Sequence, residues 1–164
     1  MKENFEKEEF SQNQSVVNAK ITPISQSLEN FALKNSNYAQ FSKRILIDTN
    51  AMMGIAEYKI DIFRELERIC DFNYEICVLE GTIRELERIM KEQRLRFKLT
   101  AKLAIALLKA KKVKILLSEG FVDDLLVAYS QQGEVVLTQD MALKKRLKRP
   151  YLTIRGKKYV VRVE

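Results

Sequence analysis

The stretch Arg44 to Asn50, R-I-L-I-D-T-N, constrains this chain more than any other. Ile45, Leu46 and Ile47 form an apolar run without alternation, the pattern of a strand covered on both faces. The run stops at Asp48, Thr49 and Asn50 follow, and a helical pattern begins soon after. In an open α/β sheet, chemistry gathers where strands end. A carboxylate there is costly to bury without a partner. Asp48 is therefore expected either to cap the next helix or to hold a cation.

The same alternation repeats downstream. Met52 to Ile69 has a helical pattern with a break near Tyr58–Asp61, and Glu75–Leu79 reads as a second strand. Gly81 and Thr82 are expected to interrupt before helix resumes at Ile83. A long helix from about Leu95 to Lys111 carries a stripe of Leu99, Leu103, Ala106, Leu107 and Ala110. Val113–Leu117 is a third strand, Phe121 to Gln132 a helix that Gly133 stops, and Glu134–Leu137 a fourth strand. Gln139–Lys148 is helical, Tyr151–Ile154 a fifth strand, and Gly156–Lys157 a turn into Lys158–Val163. Strands alternating with helices predict an α/β three-layer sandwich around a mostly parallel sheet of about five strands, plus a C-terminal hairpin. Residues 1–40 are rich in Asn, Gln, Ser and Glu and read as a mobile tail, with one short helix suggested by Ile24, Leu28 and Phe31. The domain proper is expected over 41–164.

Composition removes several chemistries. The chain has no histidine, which excludes Ser-His-Asp and Cys-His catalysis, histidine metal sites and a histidine pair cyclising RNA through its 2′-hydroxyl. Its two cysteines, Cys70 and Cys77, form no CxxC pair and read as reduced thiols of a cytoplasmic protein. The polar, acidic first residues predict no secretory leader, and no apolar run reaches the ~20 residues of a membrane span. Net charge is +7. The first 40 residues hold four lysines and five glutamates, so the remainder alone carries +8. A basic body predicts a polyanionic partner.

Four acidic positions fall at the same kind of place. Asp48 ends strand one, and Glu85 lies in the first turn of the helix after strand two. Asp123 and Asp124 open the helix after strand three, and Asp140 lies just past strand four. Each has an ordinary alternative: Asp123 and Asp124 complement a helix dipole, Asp140 caps its helix, and Thr82–Glu85 fits a capping box. In a parallel sheet, however, all four points share one edge. Carboxylates gathered there repel unless they are protonated or bridged by a cation, and an oxygen-only donor set suits Mg²⁺ or Mn²⁺. R-E-L-E-R-I occurs twice, at Arg64–Ile69 and Arg84–Ile89, and both copies read as solvated, ion-paired helix faces. Only placement after a strand separates Glu85 from Glu65.

Taken in order, I-L-I-D-T-N, T-I-R-E-L, V-D-D-L-L and V-V-L-T-Q-D-M-A-L resemble a PIN-domain nuclease over about Arg44 to Ile154. The final Tyr151–Val163 segment is similar to archaeal single-domain members related to ribosomal-RNA-processing PIN nucleases. The resemblance implies an endoribonuclease with Asp48, Glu85, Asp123 and Asp140 as catalytic, metal-binding acids. Asn50 and Thr138 would orient carboxylates or water, and Asp124 would stand behind Asp123 or cap the helix. It implies Mg²⁺ or Mn²⁺ as cofactor, and 3′-hydroxyl and 5′-phosphate products. Gln139 departs from the Asn or Ser common in the family. A role in RNA maturation, a toxin paired with an antitoxin, and a non-catalytic RNA- or protein-binding module all fit this resemblance. The partners it leaves open besides RNA are a pre-ribosomal particle, an antitoxin and a second copy in a homodimer. Haloacid-dehalogenase chemistry, which also places an aspartate after strand one, wants a second acid where Asn50 stands.

Basic residues crowd two places. One is the second helical hairpin, with Arg88, Lys91, Arg94, Arg96, Lys98, Lys102, Lys109, Lys111 and Lys112. The other is Lys144, Lys145, Arg146, Lys148 and Arg149, continued by Arg155, Lys157 and Lys158. Arg88, Lys91, Arg94, Arg96, Lys98, Lys144, Lys145 and Arg155 are the candidates to hold RNA phosphates on either side of an acidic pocket. Phe97, Tyr151 and Tyr159 are the available stacking residues, each with core packing as its ordinary alternative.

Overall fold

The computed structural model describes residues 42–164. The suggested tail and its helix over Ile24–Phe31 lie outside the described residues. Among these residues six strands and six helices follow in the order β1 (Lys43–Ile47), α1 (Thr49–Tyr58), α2 (Ile62–Ile69), β2 (Tyr74–Leu79), α3 (Glu80–Glu92), α4 (Leu95–Ala110), β3 (Lys114–Leu116), α5 (Val122–Gln131), β4 (Val135–Leu137), α6 (Met141–Arg146), β5 (Tyr151–Arg155) and β6 (Tyr159–Val163). They make one sheet in the order β3-β2-β1-β4-β5-β6. The first five strands are parallel and β6 returns antiparallel on β5, as the α/β reading with a terminal hairpin expects.

Period two in β1 divides the core. Ile45 and Ile47 face a layer built from α1 to α4, with Met52, Ile55, Leu66, Leu86, Ala101 and Ala104. Leu46 faces the other way, towards Leu126 of α5 and Leu143 and Leu147 at α6. Helices therefore cover both faces, and the near-continuous apolar run of β1 is explained. From β1 the chain fills one side of the sheet through β2 and β3, then crosses to β4 and β5 on the other. The carboxyl ends of β1 and β4 thus form the topological switch point, where such folds place their ligands.

Two helical expectations are corrected. Gly81 and Thr82 do not interrupt: α3 starts at Glu80, directly after β2, and both residues are buried inside it. A Cβ on Gly81 would meet Val122 Cγ2 at 2.5 Å, so glycine is there for close approach to α5, not as a breaker. In α4 the apolar stripe is rotated. Ala101, Ala104 and Leu108 are buried, while Leu99 and Leu103 are exposed. Small alanines let α4 pack closely against α3 and α1, and a helix apolar on two faces gives no periodic signal to choose between them.

Candidate active site

Asp48 sits at the switch point. The β1–β4 ladder continues one step past the strand, with the Asp48 N–H donating to Leu137 O at 3.0 Å. Asp48 occupies the N-cap position of α1, yet its carboxylate makes no cap hydrogen bond there. It accepts instead from Thr138 Oγ1 at 2.8 Å. The Thr138 hydroxyl in turn accepts from the Asp140 N–H at 3.0 Å, so its own proton is committed to Asp48. At 4% exposure, Asp48 is nearly dry. Burial pushes its pKa up to about 6, the Thr138 hydroxyl and the Thr49 amide pull it back, and the nearby charges of Asp123 and Glu85 push it up further.

Glu85 lies in the second turn of α3, not the first, because the helix begins earlier than the sequence suggested. The capping box is absent: Leu79 is the N-cap, and Glu85 Oε2 accepts from Thr49 Oγ1 at 2.7 Å. The two hydroxyls beside Asp48 thus fix two carboxylates from different elements. Asp123, in the first turn of α5, is exposed, and its carboxyl is raised by partial burial and by the charges of Asp140, Glu85 and Asp124, with Arg146 opposing. Asp124 turns to an ion pair with Arg146. Asp123 thus shares its surroundings with Asp140 and Glu85, while Asp124 is engaged by a cation. Asp140 does cap α6, accepting from Leu143 N at 2.8 Å, while remaining close enough to disturb Asp123. The capping role expected of it is therefore present.

The expected role of Asn50 is not seen. Its side chain is exposed, bonds no carboxylate among the described residues, and lines a second cleft with Gln139 and Asp140. Gln139 instead holds the sheet, donating from Nε2 to Ile154 O at 3.2 Å. Thr49 is the residue the sequence reading missed. Its position beside Asp48 and ahead of a helix was the available signal, but a threonine there also suits ordinary helix starts.

The twin segments separate cleanly. Glu65 accepts from the Val160 N–H at 2.8 Å, and its partner Arg68 donates to Val160 O at 2.7 Å. Together they occupy both backbone groups of one residue on β6, an edge strand. Glu65 belongs to the sheet margin, and Glu85 to the acidic cluster. The copy at Arg64–Ile69 is therefore not merely a solvated face.

The basic candidates differ in exposure and in how far they are already paired. Arg88, Lys91 and Arg94 are exposed along α3 and the turn after it, and Arg88 lies 3.8 Å from Glu85. Arg96 is tied to Glu57, and Lys98 is partly buried in α4. Lys144 is partly buried, its amine lowered by burial and by Arg155, with Asp140 opposing. Lys145 and Arg155 are exposed. Of the aromatic candidates, Phe97 and Tyr159 are exposed rather than packed, whereas Tyr151 packs against the α5–α6 core. A cleft of about 570 Å³ runs beside Glu85 and Asp123, lined also by Arg84, Arg88, Arg146 and Phe121.

The donors fit a hard divalent cation by chemistry: all are oxygens, and Asp48 is buried with no cationic side chain bonded to it. Among the described residues no three acidic side chains stand close enough to enclose an ion. Cys77 offers no alternative nucleophile, since burial pushes its thiol up to about 11.

Fold and site together define a doubly wound domain with an acidic cluster at the switch point of its sheet. A family described as "PIN like domain" matches residues 45–157, and the chain belongs to that family. The chain is 31% identical to Ribonuclease VapC4 of Methanocaldococcus jannaschii over 122 residues, 71% of this chain and 93% of that protein. A solved structure of the PIN domain endonuclease Utp24 matches with a TM-score of 0.56 at 24% identity, over 73% of this chain and 92% of that one, and shows the shared fold.

Proposed function

We propose that this chain is an endoribonuclease dependent on Mg²⁺ or Mn²⁺, hydrolysing RNA phosphodiesters to 3′-hydroxyl and 5′-phosphate ends. The observation that carries it is the buried Asp48 carboxylate, braced by Thr138 and electrostatically coupled to Glu85 and Asp123 at the switch point. The family and the relative named as a ribonuclease support it. Asp48, Glu85, Asp123 and Asp140 would hold the cation. When bound, the ion would supply charge neutralisation and a more acidic water. The chain's own residues do the positioning. Thr138 favours the ionised form of Asp48 by donating to it, Thr49 holds Glu85, and the burial around Asp48 excludes bulk water. Arg88 lines the cleft and is the arginine there that would meet phosphate oxygens, Arg146 being held by Asp124.

Cleavage of a structured RNA with Mn²⁺ tests this, comparing wild type with Asp48→Asn, Glu85→Gln and Glu65→Gln and identifying the new ends. Loss in the first two and retention in the third is expected. Equal loss in the two glutamate variants, or no cleavage by wild type, would refute the assignment. Two cellular roles follow from different observations. The β5–β6 hairpin supports RNA maturation, including ribosomal RNA, while the resemblance to VapC4 supports a toxin held by an antitoxin. Growth arrest on expression, relieved by Asp48→Asn, identifies the toxin; growth without arrest identifies the maturation enzyme. The unpaired thiols support a cytoplasmic location.

A further inference from the structure

Phe121 is 82% exposed and lines the cleft beside Glu85 and Asp123. A single exposed apolar residue needs no explanation, but this ring is placed among arginines. Arg84, Arg88 and Arg146 line the same cleft. The segment before the ring is fixed to α3 at two points: the Gly81 N–H donates to Ser118 Oγ at 3.1 Å, and Arg84 Nη2 donates to Ser118 O at 3.1 Å. Gly120 then turns with φ 101°, a conformation L side chains rarely adopt, and delivers Phe121 to the rim. The ring is thus an aromatic platform on a tethered loop.

An aromatic face beside guanidinium groups is the chemistry of single-stranded nucleic acid: bases stack on the ring while arginines take the phosphates. A duplex keeps its bases stacked on one another and cannot use the ring. Arg84 is committed to Glu80 and Ser118, whereas Arg88 is only loosely held, 3.8 Å from Glu85. Arg88 is therefore the arginine free to turn to a phosphate. The cleft volume of about 570 Å³ lies within the range of small-molecule sites, about 300–1,000 Å³.

We propose that Phe121 is the base-stacking platform of this cleft, holding the base of a nucleotide next to the scissile phosphate while Arg88 takes that nucleotide's phosphate. The proposal rests on the endoribonuclease reading for the word scissile, and on the cleft alone for the nucleotide. Three arginines there face three carboxylates, Glu85, Asp123 and Asp124, so in EDTA stacking rather than net charge decides binding.

The chain contains no tryptophan, so Phe121→Trp introduces a lone reporter. A fluorescein-labelled oligoadenylate of about 12 nucleotides and a duplex of the same length would be titrated in EDTA with wild type, Phe121→Ala and Phe121→Trp. Expected are about tenfold weaker single-strand binding for the alanine variant, wild-type affinity for the tryptophan variant, and unchanged duplex binding in both. The tryptophan emission should be quenched by unlabelled oligoadenylate and not by duplex. Thermal melting checks folding, and a ring this exposed should leave it unmoved. An alanine variant that binds like wild type, or tryptophan emission indifferent to saturating oligoadenylate, would overturn the site. Stacking without Mn²⁺-dependent cleavage would leave the nucleotide site standing and overturn the endoribonuclease reading instead.

Discussion

Asp48 is held where a neutral carboxyl would be more comfortable than a charged one. Its pKa is raised from 3.8 to about 6, with burial the first cause. A raised acid means that the folded chain binds the proton more tightly than the unfolded chain. Stability therefore falls as pH climbs from 3.8 to about 6 and stays lower above it. The difference corresponds to at most about 3 kcal/mol. Asp48→Asn keeps an oxygen to accept from Thr138 and removes the charge. In EDTA at pH 7 it should be more resistant to urea than wild type by roughly 2 kcal/mol. Below pH 3.8, where both states of the wild type carry the proton, the advantage should vanish. The same variant should lose cleavage. Urea titrations at the two pH values check the first statement, and an advantage of equal size at both would show that charge burial is not its source. The aspartate was legible in the sequence because an apolar run ended on it. Its brace was less so, since Thr49 and Thr138 carry hydroxyls that suit many helix starts and strand ends, and only the pairing of β1 with β4 and with β2 brings Thr138 to Asp48 and Thr49 to Glu85.

The repeated helical phrase shows how element placement assigns roles that local sequence cannot. Glu65 and Glu85 have identical neighbours on both sides, but α2 lies against the margin of the sheet and α3 follows β2 to the acidic edge. The hydrogen bonds from Arg68 and from the Val160 N–H hold the Glu65 carboxyl below its usual range. That contribution is present above the unfolded carboxyl pKa and is lost as acid protonates the folded group. Glu65→Gln should lower stability at pH 7 by about 1–2 kcal/mol and leave cleavage intact, because it weakens the clamp on β6. Glu85→Gln should do the reverse. A stability loss in Glu85→Gln matching that of Glu65→Gln would merge the two roles. Gly81 makes the related point for packing. Its sequence signal is that of a helix breaker, yet it lies inside α3 against Val122. Gly81→Ala should force α3 and α5 apart, destabilising by about 1–3 kcal/mol by denaturant titration and displacing Asp123 enough to slow cleavage. The misread stripe of α4 has the same origin. Periodicity reports which faces are apolar, while the partner helix decides which is buried, and here alanines won because they allow closer approach.

For the molecule as a whole, net charge was readable from the sequence at +7, but which cations are free was not. Arg96 is occupied by Glu57, Arg146 by Asp124, and Lys114 by Glu75 at 3.0 Å. Exposed pairs of this kind contribute little to stability, but each removes a charge from the field that a polyanion meets. Arg88, Lys91 and Arg94 remain exposed along α3 and the turn to α4, and Arg88 lines the cleft with Glu85. If they contact backbone phosphates, each releases counterions when single-stranded RNA binds. Replacing all three by alanine should make the slope of log affinity against log salt shallower by about 2, from about 0.7 per phosphate contact. Affinity should fall evenly across sequences, since phosphates carry no base information. Phe121→Ala provides the contrast: it should weaken single-strand binding at every salt concentration and leave the slope unchanged, because stacking releases no counterions. Anisotropy titrations between roughly 50 and 200 mM salt separate the two signatures. A slope unchanged in the triple variant would overturn the phosphate contact assigned to Arg88 and leave exposed Lys145 and Arg155 as the cations to replace next.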